Sequence, residues 1–289
     1  MTPITIYEGP SQYNGAQIVA TACLGGNTGT GKTLDITVAP ASVRDAMQAF
    51  DGPGGQRGGS YVKALQSTID SVCHRQCSHK GKNSCYAQHN ARSAGQPAKQ
   101  LANSVRTQDP RDAWQSLCKM ASLSGFRKLR LCTAGSSGAL PPEVIDWIMS
   151  DAESAGLGRL AYLESWRSKD AQHLKGSHMA STQSIKGAEF ARSRGWGSFT
   201  SVPVPEFAGG YTLPKGATLC PKSAEAKEVH GLPITCDACG LCDGSKDNWI
   251  VVPSHGPGDA ARKRSKLMQG VEIRDSSGAI VGRFKTITK

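Results

Sequence analysis

The sequence predicts an α/β fold, an incomplete (β/α) barrel with an irregular β-rich N-terminal part and Cys-rich metal-binding loops. Three observations carry that prediction. From Lys128 to His255, short apolar runs alternate with amphipathic stretches, the rhythm of strands joined by helices in a parallel sheet. The stretch PPEVIDWIMSDAESAG opens on proline and closes on glycine, as a helix of such a unit does. The cysteines gather in two loop-like segments, 73–85 and 220–242, rather than scattering through the runs.

In chain order, Ala16 to Cys23 reads as a strand, and Leu34 to Val38 alternates like a second one. Tyr61 to Ser71 spaces Val62, Leu65 and Ile69 on one helical face. KLRLC at 128–132 is a strand, PPEVIDWIMSDAESAG a helix and RLAYL at 159–163 a strand. HMASTQS at 178–184 is a short strand, IKGAEFARSRG a helix, SFTSVPV at 198–204 a strand and NWIVVPSH at 248–255 one more. The end, VEIRDSSGAIVGRFKTI, reads as a hairpin turning at Ser-Ser-Gly. The expected organisation is a β-rich segment over 1–60, a partial barrel over 61–256 carrying both Cys clusters, and a basic linker with a hairpin over 257–289. GSHMAS at 176–181 spells a familiar vector scar, but it sits inside the βα rhythm and reads as native.

The 289 residues hold 34 Lys plus Arg against 23 Asp plus Glu, a formal net charge of +11. That balance favours a polyanionic partner, and nucleic acid is the expectation. With 38% hydrophobic and 20% charged residues, the composition excludes a coiled coil, a collagen and a wholly disordered chain. No run reaches the roughly 18 apolar residues of a membrane helix, so no membrane partner is expected. The first residues lack the basic and apolar regions of a secretory signal. The expected compartment is a reducing cytoplasm, where clustered cysteines bind metal more often than they form disulfides. The oligomeric state is not legible.

Gly26 to Thr33, GNTGTGKT, satisfies the P-loop pattern in letters. A P-loop needs a helix directly after Gly-Lys-Thr, whose first N–H groups hold phosphate. Here an alternating strand follows and Pro40 closes it, so the reading is a tight glycine turn between two strands.

Cys73, Cys77 and Cys85 are spaced C-x3-C-x7-C and lead into Tyr86-Ala87. Three thiolates in one loop can share a centre and leave one coordination position open, for a ligand in an iron–sulfur cluster or for water at zinc. His74, His79 or His89 could close it as a zinc knuckle. Cys236, Cys239 and Cys242 form a C-x2-C-x2-C run, with Cys220-Pro221 upstream. Four thiolates make a closed site that suits iron–sulfur or zinc. Cys23, Cys118 and Cys132 stand alone and read as buried apolar filler.

Glu164 and Trp166 follow the strand RLAYL, while Ser181, Thr182 and Ser184 follow the next. Barrel chemistry sits at the C-terminal ends of strands, so Glu164 and Ser181 are the catalytic candidates. His255 ends a strand and serves as a core, capping or site residue. Arg262, Lys263, Arg264 and Lys266 form a basic run suited to phosphates. Trp147 and Phe190 lie on apolar helix faces and are expected in the core.

Several of these marks together resemble the "gene product 88"-type proteins of bacteriophages and plasmids. They are the turn Gly26-Asn27…Gly31, the Cys73, Cys77, Cys85-Tyr86-Ala87 cluster and LRLCTAGSSGALPPEVIDWI. MASTQS, EFARSRGWGSFTSVP, CP…TCDACGLCDG and VVPSHG complete the set. The resemblance runs from about Cys23 to Gly256. That family in turn is similar to radical S-adenosylmethionine barrel enzymes, whose C-x3-C-x2-C motif binds a [4Fe–4S] cluster with one open iron. Here the second gap is seven residues, and Gly135-Ser136-Ser137-Gly138 stands where a Gly-Gly-Glu motif is expected. The resemblance implies that Cys73, Cys77, Cys85, Tyr86, Gly135, Ser136 and Ser137 hold the cluster and S-adenosylmethionine. It also implies that Cys220, Cys236, Cys239 and Cys242 hold an auxiliary cluster or zinc. The expected function is an iron–sulfur enzyme acting on nucleic acid or a nucleotide in a bacterial host. The alternatives are a metal-stapled DNA- or RNA-binding protein that blocks a host target, and a zinc-dependent base-modifying transferase using Glu164 or Asp146.

Overall fold

The computed structural model describes residues 2–27, 30–50, 57–66, 68–74, 91–231, 234–254 and 268–285. It is a mixed α/β protein in two compact units, Met1–His173 and Leu174–Lys289.

The first unit is built on a six-stranded sheet. β1 (Ile4–Pro10), β2 (Gln17–Asn27) and β3 (Gly31–Pro40) run antiparallel to one another. The two-residue β4 (Val105–Arg106) lies parallel to β1 at the edge. On the other side β3 pairs parallel with β5 (Lys128–Ala134), and β5 with β6 (Gly158–Leu163). The N-terminal strands therefore share one sheet with the βαβ strands. β2 and β3 pair up to Asn27 and Gly31, and a strand, not a helix, follows Gly-Lys-Thr. This agrees with the glycine-turn reading and leaves the P-loop match without its anion-binding helix.

The helices of this unit are α1 (Ala41–Gln48), α2 (Arg57–Gln66), α3 (Ala91–Ala102), α4 (Pro110–Leu123) and α5 (Pro142–Ser154). The helix expected over Tyr61 to Ser71 starts earlier and ends at Gln66. A separate 3-10 turn at Ile69–Ser71 follows. Asp109 caps α4 by accepting from the N–H groups of Arg111 and Asp112. Trp114 is fully buried and its indole N–H donates to the Ile148 carbonyl, which fixes α4 against α5. Cys118 sits in this core as expected.

The second unit has a parallel sheet in the order β7 (Met179–Thr182), β8 (Ser198–Pro203), β11 (Trp249–Ser254) and β10 (Thr218–Leu219). α6 (Ile185–Ser193) crosses from β7 to β8. β9 (Tyr211–Thr212) joins the hairpin of β12 (Glu272–Arg274) and β13 (Ile280–Arg283) in a second, small sheet. α7 (Ala224–His230) ends on Gly231 in the left-handed region. Val202, Phe207, Trp249, Val251, Ile273 and Phe284 share one buried core. His178, Met179 and Ala180 of the scar-like segment are fully buried, as expected of native sequence.

Two core expectations fail. Phe190 is 45% exposed, and the Arg194 guanidinium covers its ring. Trp147 is half-buried. Each lies at the flank of its helix's apolar stripe, where the pattern counts an aromatic as inside while geometry leaves one edge in water. Among the described residues no helix is long and apolar enough to cross a membrane.

Candidate functional site

In the first unit, a recess forms at the C-terminal ends of β5 and β6. Its floor is the turn Gly135-Ser136-Ser137-Gly138 that follows β5. Glycine is required at both ends of this turn. Gly135 has φ +79°, and a Cβ there would lie 2.2 Å from the Val38 carbonyl oxygen. A Cβ on Gly138 would meet the Tyr13 hydroxyl at 2.5 Å.

The wall comes from the β1–β2 turn. The Gln12 N–H donates to the Ala139 carbonyl, and the Tyr13 hydroxyl lies 2.7 Å from Ser136 Oγ and 3.3 Å from Ser165 Oγ. The same turn reaches the Cys73 loop, because the Ser11 hydroxyl donates to the Ser71 carbonyl. The Cys73 N–H returns to the Ile69 carbonyl, and the His74 ring stands edge-on to Tyr13 at 5.2 Å. Four segments distant in sequence thus meet: the Ser11–Tyr13 turn, Ser71–His74, the turn after β5 and the turn after β6.

Three side chains in this recess can do chemistry. Glu164 keeps part of its surface accessible, yet burial lifts its carboxyl above the ordinary range. Cys132 behaves the same way: burial raises its thiol, the nearby Glu164 and Cys73 add to the rise, and a hydrogen bond from Ser137 opposes it. Burial pushes Tyr13 up to about 12, against hydrogen bonds from Ser136 and Ser165. Side chains that are desolvated but still partly open line a concavity rather than a packed core. The recess therefore offers a proton-holding carboxyl, a neutral thiol and a ring of hydroxyls.

The structure brings together Cys73, Gly135, Ser136, Ser137 and Glu164. Cys77, Cys85 and Tyr86 lie outside the described residues, as do His79 and His89. Trp166 is buried under the Arg167 guanidinium, 4.0 Å from its ring centroid, and supports the turn after β6. Asp146 lies on the exposed side of α5, which leaves Glu164 as the carboxyl that faces the recess.

Cys132 is the site residue that sequence reading missed, and its reading as apolar filler is corrected here. It is half-exposed and has φ +60°. Periodicity could not show this, because the alternating burial of KLRLC hides a backbone irregularity. The one usable signal was the Cys-Thr-Ala-Gly sequence, a polarisable thiol just before a turn-forming glycine.

In the second unit, Ser181 is half-buried on β7. The Thr182 hydroxyl bonds those of Ser198 and Thr200 inside the sheet. The Ser184 hydroxyl caps α6 by accepting from the Gly187 N–H. The last two roles are structural. Cys220 lies at the end of β10, where its sulfur accepts from the N–H groups of Lys222 and Ser223 and feels the nearby Cys239 thiol. Burial is the larger influence and lifts the Cys220 thiol overall. Paired N–H···S bonds of this kind suit a thiolate held at a metal. Cys236 and Cys239 are half-buried and Cys242 is buried. The 235–239 turn is closed by the Cys239 N–H on the Thr235 carbonyl. Among the described residues no three His, Cys, Asp or Glu side chains already converge as a metal site. His255, Arg262, Lys263, Arg264 and Lys266 lie outside the described residues.

A second hollow, an open cleft of about 850 Å³, lies between β2 and α3. Cys23 and Gln100 line it. Asp35, paired with Cys23 across the strands, is buried, and burial raises its carboxyl despite hydrogen bonds from Thr33 and the Gly26 N–H.

Set against family models, curated proteins and solved structures, the chain finds no match.

Proposed function

We propose that the protein is an iron–sulfur enzyme of the radical S-adenosylmethionine kind, acting on nucleic acid or a nucleotide. The observation that supports this most is the meeting of Cys73 with the Gly135–Gly138 turn at the strand ends of the first unit. A ligand-bearing cysteine loop and a small-residue turn on the neighbouring parallel strand are the parts such an enzyme needs. The βαβ rhythm within each unit supports an incomplete (β/α) barrel as the frame.

The donor set fits the group. Cys73, with Cys77 and Cys85, would hold a [4Fe–4S] cluster through three soft thiolates. When bound, the cluster supplies the electron that cleaves S-adenosylmethionine reductively. The chain's own residues do the rest. Gly135 lets the backbone approach closely without a Cβ in the way. Ser136, Ser137, Ser165 and Tyr13 offer hydroxyls to the polar groups of a ligand. Glu164, held toward its protonated form by burial, can keep or move a proton beside the reacting centre. In the second unit, the hydrogen-bonded Cys220 and its neighbour Cys239 would hold a structural zinc or an auxiliary cluster with Cys236 and Cys242. The nucleic-acid or nucleotide substrate is supported by the net charge of +11.

The test is anaerobic incubation of the reconstituted protein with S-adenosylmethionine and dithionite. The expected product is 5′-deoxyadenosine, lost in Cys73→Ser. Zinc in place of iron, with no cleavage, supports the zinc-dependent transferase through Glu164 or the metal-stapled binding protein instead.

A further inference from the structure

We propose that Cys132 is the fourth thiolate of the Cys73 site, occupying at rest the coordination position that three ligands leave open. The inference rests on the iron–sulfur reading above and adds to it a residue that no motif contains.

The argument begins with the backbone. Between β3 and β5 the register steps from Asp35↔Arg130 to Thr37↔Ala134, two residues on β3 against four on β5. The surplus residues of β5 surround Cys132. The pairing of β5 with β6 ends at Leu131↔Ala161, so Cys132 is the first residue released on that side. It is also the one non-glycine with positive φ among the described residues. A bulge next to a site re-aims a side chain, and this one sets a thiol beside another thiol, Cys73, and beside Glu164 and Ser137.

Coordination chemistry then selects among the neighbours. A cluster held by three cysteines has one iron without a protein ligand, and thiolate is the donor iron–sulfur centres prefer. Glu164 is a harder donor. The hydrogen bond from Ser137 to the Cys132 sulfur is the outer support that metal thiolates commonly carry. Cys132 would yield its place to a chelating ligand by leaving as a protonated thiol, a ligand exchange with no electron transferred. At rest the cluster is then closed against solvent and oxygen.

The experiment uses the full-length chain, reconstituted anaerobically, as wild type, Cys73→Ser and Cys132→Gly. Glycine accepts a φ of +60° without strain, so the second variant removes the thiol and keeps the backbone. Iron per chain and the electron paramagnetic resonance spectrum of the reduced protein are read with and without S-adenosylmethionine. The expected result is that Cys132→Gly keeps its iron, shows a changed resting spectrum and loses iron to a chelator several-fold faster. Adding S-adenosylmethionine should bring its spectrum and that of wild type together. An unchanged resting spectrum in iron-loaded Cys132→Gly overturns the inference and leaves the iron–sulfur reading standing. Full iron in Cys73→Ser, or none in wild type, removes that reading and the inference with it.

Discussion

The Tyr13 hydroxyl lies 2.7 Å from Ser136 Oγ, joining the β1–β2 turn to the turn after β5 across 123 positions of sequence. This one bond ties the N-terminal strands to the recess. It also explains why Gly138 carries no side chain, since a Cβ would occupy the phenol oxygen's place. Tyr13→Phe removes the bond, and its expected cost is about 1 kcal/mol, read as a lower denaturant midpoint. In the wild type, ultraviolet titration should find one tyrosine ionising near 12. Titration of every tyrosine near its ordinary value contradicts the buried setting of Tyr13.

Glu164 stores a cost. Its folded pKa is raised by burial, so the stability it contributes is complete below the unfolded carboxyl value. That stability is lost as pH rises through the folded value. Glu164→Gln should therefore melt higher than wild type at pH 8, with the gap closing at pH 4. The same variant should lose activity, because the proton-holding group is gone. Melting curves that differ equally at both values would count against a raised carboxyl.

Cys132 holds a left-handed backbone at a cost of roughly 1–2 kcal/mol for a residue with a Cβ. Cys132→Gly should be at least as stable as wild type by thermal melting. Cys132→Val should lose more than about 2 kcal/mol, since a β-branched residue is worse still at positive φ. A valine variant as stable as wild type would show that the backbone there is ordinary.

Glu8 is gripped by Arg44 and by Arg106, at 2.8 Å each, and Arg44 is only 2% exposed. The two guanidinium groups hold the Glu8 carboxyl down at about 2. A lowered carboxyl stabilises the fold above its unfolded value, near 4.3, and that contribution disappears as pH falls toward 2. Glu8→Gln should cost roughly 1 kcal/mol at neutral pH, allowing for solvent screening at this partly open site. The difference from wild type should vanish by about pH 2. A constant difference across that range would mean that packing, not charge, sets the loss.

Much of the fold was legible because it rests on local patterns. The Pro-to-Gly helix of α5, the alternating β3 and the Ser-Ser-Gly hairpin each carry their geometry in a few adjacent residues. The cysteine loops, the glycine-rich turn after β5 and Glu164 could also be picked out, since residue type and spacing announce them. Cys132 and Tyr13 could not. Cys132 owes its role to a register step between β3 and β5, and Tyr13 to contacts more than a hundred positions away. Neither leaves a periodic trace. Phe190 was misplaced for a related reason: a helical wheel gives the direction of a side chain but not the width of the surface covering it.

The most direct test of the central claim is the iron, zinc and acid-labile sulfide content of the protein purified without oxygen, measured beside Cys73→Ser. The account predicts brown protein with iron and sulfide in equal amounts, and a clear loss of both in the variant. Colourless protein holding zinc and no iron would contradict it.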